Sequence, residues 1–168
     1  MTIFRGSDES QDRKMFLKGI DGFDRLGDGE LEHIVQIGRV GSVQAGEAID
    51  VQGQPAEKFY ILVSGRLAVV LTLDFGVVHQ TYQLITLGPG QMFAWSGLVG
   101  NPYHTAGSRA VTDCSYLEFD VREFERLFDE DPRLGYAMMR LVARTIASRL
   151  RQTQLQLAQQ YALRESVE

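Results

Sequence analysis

Cysteine is almost absent: Cys114 is the single one in 168 residues. An internal disulfide is thereby excluded, and so is a metal site built on a thiol pair. Histidine is nearly as scarce, and His33, His79 and His104 are scattered with no His-x-His pairing, whereas a metal-dependent site needs clustered ligands. No run approaches membrane-spanning length, and the opening MTIFRGSDESQDRKMFLK lacks the apolar core of a signal peptide; a cytoplasmic location is the expectation. Positive charge is in deficit. A net charge of -5 argues against a general nucleic-acid binder, whose electrostatic footprint would be basic.

What the chain does have is an ordinary globular composition, 44% hydrophobic and 23% charged, at a length that supports one core-forming domain, or a domain plus an appendage. The charge is unevenly spread. After Pro132 the chain carries Arg133, Arg140, Arg144, Arg149, Arg151 and Arg164 against only Glu165 and Glu168, which marks a different kind of segment from that point on.

Residues 1–13 are polar and expected to be flexible. From Lys14 to Leu26, Phe16, Leu17, Ile20 and Phe23 recur at helical spacing, with glycines that break the helix into short pieces. Asp28 is placed to cap a following helix whose apolar face is Leu31, Ile34, Val35 and Ile37; His33 lies off that stripe and reads as a surface residue. From Val40 the period becomes that of strands, punctuated by Gly41, Gly46, Gly53 and Pro55. Phe59 to Val63 reads as a buried strand. Ser64-Gly65 reads as a tight turn through which Arg66 to Leu73 continues a hairpin. Asp74-Phe75-Gly76 is another reversal, before a long strand from Val77 to Leu87. Gly107 to Thr112 and Ser115 to Asp120 close the set. Repeated short strands with glycine turns predict an antiparallel β-roll or jelly roll.

After Asp120 the helical period returns, with Val121, Phe124 and Leu127 or Phe128 on one face, and Pro132 ends that helix or opens the next. Beyond it Met138, Val142, Ile146 and Leu150 recur every four residues, flanked by Leu134 and Leu141, and Leu155, Leu157 and Tyr161 are set among glutamines. A helix this long either lies along the sandwich or packs its distal half on a second copy, and the second reading is preferred. The fold class is therefore α+β, an antiparallel β-roll at 14–131 flanked by short N-terminal helices, with a C-terminal dimerisation helix at 132–168.

The stretch Gly88 to Ala110, GPGQMFAWSGLVGNPYHTAGSRA, organises the rest. Turn punctuation at Gly88, Pro89 and Gly90 leads to a run, Trp95 to Val99, of one or two helical turns. A second turn follows at Gly100, Asn101 and Pro102. A strand, a helical turn and a return strand would point unused amides into a concavity that suits an anion.

The order of elements and the glycine placement resemble the cyclic-nucleotide-binding domain of the cyclic-AMP receptor and its relatives, over about Met15 to Gln160. One part of the resemblance is AGEAIDVQGQPAEKFYILVSGRLAVV (Ala45 to Val70), with Gly46-Glu47, Gly53, Tyr60-Ile61-Leu62 and Gly65 at the family's positions. The other is the cradle, which matches the phosphate-binding cassette without a gap. The resemblance implies a β-roll and a long last helix that dimerises. It also implies candidate ligand-binding residues: Phe93, Trp95, Ser96, Gly97, Leu98, His104, Thr105 and Ala106. The family cassette reads Phe-Gly-Glu, then a spacer, then Arg-Ser/Ala-Ala; its glutamate holds the ribose hydroxyl and its arginine the cyclic phosphate. Here the glutamate position is Trp95 and the arginine position His104.

Each lost charge-assisted contact is worth roughly 1.5–3 kcal/mol, so the two together weaken binding by about two to four decades. An imidazole donates one bond, and an imidazolium restores charge without the bidentate geometry. Trp95 either stacks on a base or plugs the pocket. Arg109 faces the cradle or the surface according to register, with the surface preferred. Thr105 donates to a ligand or to its own backbone.

The expectation is a non-enzymatic regulatory or sensor domain that is not a standard cyclic-AMP binder, taking a cyclic nucleotide, another small ligand or a protein partner. The alternatives are a working cyclic-AMP or cyclic-GMP signalling protein and, less favoured, a jelly-roll metal enzyme. No nucleophilic triad surrounds Ser96. A helix-turn-helix reader would follow the long helix, and the chain is expected to lack one because it stops at Glu168. The arginines at Arg140, Arg144, Arg149 and Arg151 are read as a solvated or inter-chain helix face, and Cys114 as a small apolar residue packed beside Tyr116 rather than a haem ligand.

Overall fold

The computed structural model describes residues 4, 9–76 and 78–165. Residues 1–3 and 5–8 of the expected flexible N-terminus, Val77 of the expected long strand, and 166–168 of the last segment lie outside the described residues. Four α-helices and seven strands follow in the order α1 (Glu9–Lys18), α2 (Asp28–Ile37), β1 (Arg39–Val43), β2 (Lys58–Ser64), β3 (Leu67–Asp74), β4 (His79–Leu87), β5 (Met92–Phe93), β6 (Gly107–Ala110), β7 (Cys114–Asp120), α3 (Val121–Glu130) and α4 (Pro132–Glu165). α1 thus begins inside the stretch expected to be flexible, where the Arg13 guanidinium donates to the Gly38 carbonyl at 3.0 Å.

All strand pairs are antiparallel, in two sheets of order β1-β7-β2-β5 and β4-β3-β6. The unbroken apolar run of β2 follows from burial on both faces. Tyr60 and Leu62 join a core between the sheets with Leu67, Leu87 and Phe93. Phe59, Ile61 and Val63 join a second core with Leu117, Phe119 and the helices. The layers are therefore helices, sheet, sheet.

The hairpin expected at Ser64-Gly65 is not formed. β2 already pairs with β7 on one edge and β5 on the other, so β3 has no free edge to join and the chain crosses to the other sheet. The Asp74–Gly76 reversal is formed, with the Asp74 carboxylate accepting from Gly76 N at 2.7 Å. Gly41, expected as punctuation, sits inside β1 opposite Tyr116.

At the helix ends, Asp28 is the first residue of α2 rather than its cap; Glu30 reaches back to accept from Gly27 N at 2.6 Å. Asp120 caps α3 by accepting from Arg122 N and Glu123 N, and Pro132 opens α4, with Asp131 accepting from Arg133 N and Leu134 N. The four-residue period of α4 packs only its first half: Leu134, Met138 and Val142 are buried, whereas Leu150, Leu155, Leu157 and Tyr161 are exposed. Cys114 is buried in the inter-sheet core against which Tyr116 packs. No helix among the described residues is long and apolar enough to cross a membrane.

Candidate functional site

β5 carries Phe93, stacked on Tyr60 at 5.1 Å between ring centroids, to the mouth of the roll. The next residue, Ala94, has φ 56°, the one non-glycine among the described residues with positive φ. An L-residue in that region costs roughly 1–2 kcal/mol, so surrounding contacts must hold it there. The reversal at Ala94 starts the expected helical turn, a single 3-10 turn at Gly97–Val99. Its bonds begin with Leu98 N to Trp95 O at 3.1 Å and Val99 N to Ser96 O at 3.2 Å. The amides ahead of Leu98 are not used by the turn itself.

The return leg is held by the segment that precedes β2. Ala56 N donates to Pro102 O, His104 N to Gln54 O, Gly53 N to His104 O and Ser108 N to Asp50 O, all at 2.9–3.0 Å. Residues 49–56 therefore run antiparallel to residues 102–108 and form the outer wall of the cradle.

Of the eight sequence-predicted residues, Phe93, Trp95, Ser96, Thr105 and Ala106 line one cavity of about 70 Å³. Gly97, Leu98 and His104 do not line it. Leu98 packs on the helix-side core, Gly97 lies against the Ala56 carbonyl, and His104 is buried, its Nδ1 without a hydrogen-bond partner. Thr105 turns to Ser96, whose hydroxyl lies 3.4 Å from Thr105 N. Arg109 is exposed and donates to the Gly46 carbonyl at 3.0 Å, the surface alternative of its two registers. His33 and His79 are exposed, and no group of three His, Cys, Asp or Glu side chains suited to a metal occurs among the described residues.

Two residues that sequence reasoning missed complete the cavity. Asp50 is 7% exposed and its carboxylate accepts a hydrogen bond from the Ser108 hydroxyl. Burial pushes its pKa above the ordinary 3.8, with the Ser108 bond and the nearby His104 pulling the other way. A carboxyl raised in the fold gives stability that is complete below pH 3.8 and is lost as pH rises from there through the folded value. Asp50→Asn is therefore expected to gain thermal stability over the parent as pH increases from 4 toward 7. Melting curves followed by circular dichroism at several pH values check this; a difference that does not vary with pH would contradict it.

The other is Arg149 of α4. Read as part of a solvated or inter-chain helix face, it is half-buried against its own chain. It donates to the Met92 carbonyl at 3.1 Å and lines the same cavity. Desolvation holds its pKa below the usual arginine range, and it forms no ion pair among the described residues.

The signals for both were faint. Asp50 is the one charge in the otherwise apolar Ala48–Val51, and Arg149 follows Leu141 by eight residues with Thr145 between, on the edge of the apolar stripe. The cavity thus combines three hydroxyls (Ser96, Thr105 and Ser108), one buried carboxyl and one guanidinium. At about 30 Å³ per water, it has room for two or three waters, well below the ~300–1,000 Å³ of common small-ligand sites.

Comparison with known proteins gives consistent matches. The family described as the cyclic nucleotide-binding domain matches residues 40–131, more than half of the chain. A cyclic nucleotide-gated potassium channel of Mesorhizobium japonicum is 28% identical over 113 residues, 67% of this chain and 29% of the channel. Glutaminase 1 of Bradyrhizobium diazoefficiens is 31% identical over 123 residues, 72% of this chain and 18% of the enzyme. The chain thus spans less than a third of either curated relative. Among solved structures, a cyclic nucleotide-binding domain from Methylobacillus flagellatus superposes with a TM-score of 0.78 at 12% identity, covering 92% of this chain and 86% of that one.

Proposed function

Because the chain belongs to the cyclic nucleotide-binding domain family, we propose that it is a non-enzymatic regulatory module whose cradle no longer takes cyclic AMP in the family's usual way. The observation that carries this reading is the acidic side chain buried in the cavity. Where an anionic ligand would sit there is the buried carboxyl of Asp50, and the cassette positions for the ribose-binding glutamate and the phosphate-binding arginine are Trp95 and His104. Once ionised, the Asp50 carboxylate opposes an anion beside it, and the two lost contacts add about two to four decades of weakening.

Whatever enters the cradle meets Arg149, which belongs to α4. A ligand carrying a better acceptor than the Met92 carbonyl draws that guanidinium inward and repositions the helix, so the signal passes in one step from cavity to α4. The same residue supports a second reading, in which Arg149 substitutes for the missing cassette arginine and a cyclic nucleotide still binds.

A titration with cyclic AMP and cyclic GMP separates the two, followed by Trp95 fluorescence and calorimetry. No saturable response at micromolar nucleotide is expected. Saturation in that range, abolished by Arg149→Ala, would overturn the first reading in favour of the second.

The roll at 14–131 and the helix at 132–168 are proposed as sensor and output. The exposed Leu150, Leu155, Leu157 and Tyr161 support docking of the distal helix on a second copy of the chain. Light scattering at micromolar concentration should return twice the mass of one chain; one chain's mass sinks the proposal.

A further inference from the structure

A second cavity, of about 250 Å³ and also lined by Arg149, lies between α4, the Gly90–Met92 turn and the Ile20–Phe23 segment. Its floor is apolar: Phe23, Ile61, Met92 and Leu141 are each at least nine-tenths buried. Its α4 wall is polar and cationic. Arg144 makes no ion pair or hydrogen bond among the described residues, and Arg149 uses its five-donor fork on one carbonyl alone. Asp21, exposed on the Ile20–Phe23 segment, also lines the cavity.

We propose that this groove is a binding site for a small amphipathic monocarboxylate, with its carboxylate between Arg144 and Arg149 and a short aliphatic or aromatic body on Phe23, Ile61, Met92 and Leu141. The chemistry follows from what each alternative would cost. A neutral apolar molecule would cover two guanidiniums without pairing them, which is unfavourable. A dianion would bring its second charge toward Asp21. A monocarboxylate offers one oxygen to each guanidinium and leaves its body to the apolar floor. The volume is just under the ~300 Å³ where common ligand sites begin, which sets the size to a short acid. The groove shares Arg149 with the cradle, but Phe93, Asp50 and the Ser96, Thr105 and Ser108 hydroxyls do not line it. A nucleotide that engaged Arg149 from the cradle would compete with the carboxylate for it, so the test is run without nucleotide.

The test uses the full chain with sodium octanoate, and 1-octanol as an uncharged probe of the same length, read by methyl NMR of Ile20, Ile61, Met92 and Leu141. Saturable shifts with octanoate are expected, with octanol at least about tenfold weaker. Arg144→Gln, at an exposed position, should bring octanoate close to the octanol level. Ser148→Trp, at the exposed mouth, should block both. Equal affinity for the two probes, no saturation at millimolar octanoate, or unchanged binding in Arg144→Gln would each overturn the proposal. Absence of cyclic-AMP binding in the Trp95 titration would leave it standing.

Discussion

Phe124→Ala should lower stability by about 3–5 kcal/mol, the cost of emptying a fully buried phenylalanine site, out of the roughly 5–15 kcal/mol that holds a typical domain folded. Phe124 is 0% exposed. Its ring meets Phe59 edge-on at 4.9 Å and Phe119 edge-on at 5.4 Å, and Phe59 and Phe119 stack on each other at 5.0 Å. Through this cluster α3 is joined to β2 and β7, and through α3 so is the start of α4. Truncation therefore removes packing and loosens the path from the roll to the helix. Urea unfolding gives the loss directly, and near-ultraviolet circular dichroism reports the cluster. Phe128, partly buried and meeting Phe124 at 5.6 Å, is the comparison, and Phe128→Ala should cost distinctly less. Equal costs would mean that the cluster does not concentrate the coupling.

Gly97→Ala should damage the cradle itself. A Cβ at this position would collide with the Ala56 carbonyl oxygen and lie 3.0 Å from Val121 Cγ2. The first obstacle is backbone and cannot rotate away. Relief requires the 3-10 turn to lift off the 53–57 segment, which is itself held by Ala56 N to Pro102 O and by Val121 N to Glu57 O. Overpacking of this kind costs about 1–3 kcal/mol, and Trp95, next to the turn, should shift its emission. Gly29→Ala, where a Cβ meets nothing within 4 Å in the first turn of α2, is the control and should be neutral or slightly stabilising. If Gly97→Ala behaved like Gly29→Ala, the turn would not be clamped as described.

The local parts of this architecture were legible in the sequence because they rest on neighbours within a few residues. The apolar run of β2, the Asp74–Gly76 turn, the Phe124 face of α3 and the start of α4 at Pro132 all follow from period and turn chemistry. Strand partnership was not legible. Whether β3 pairs with β2 depends on β5 and β7, which are 28 or more residues further on and take both edges of β2 first. The cradle divided along the same line. Phe93, Trp95 and Ser96 belong to one contiguous stretch and line the cavity together, but Asp50 and Arg149 reach it from more than 40 residues away on either side. Ala94 carried no geometric signal in the sequence: its positive φ, the conformation that glycine favours, belongs to the folded backbone.

The length of α4 gives its contact with the cradle a mechanical meaning. Described side chains from Leu150 to Ala162 are all exposed, so beyond Arg149 the helix extends past the core of its own chain. At about 1.5 Å per residue, the 16 residues from Arg149 to Glu165 make a lever of about 24 Å. A tilt of about 10° at its fulcrum sweeps the tip through roughly 4 Å. Arg149 sits at the fulcrum, where a displacement of a fraction of an ångström is magnified along the arm.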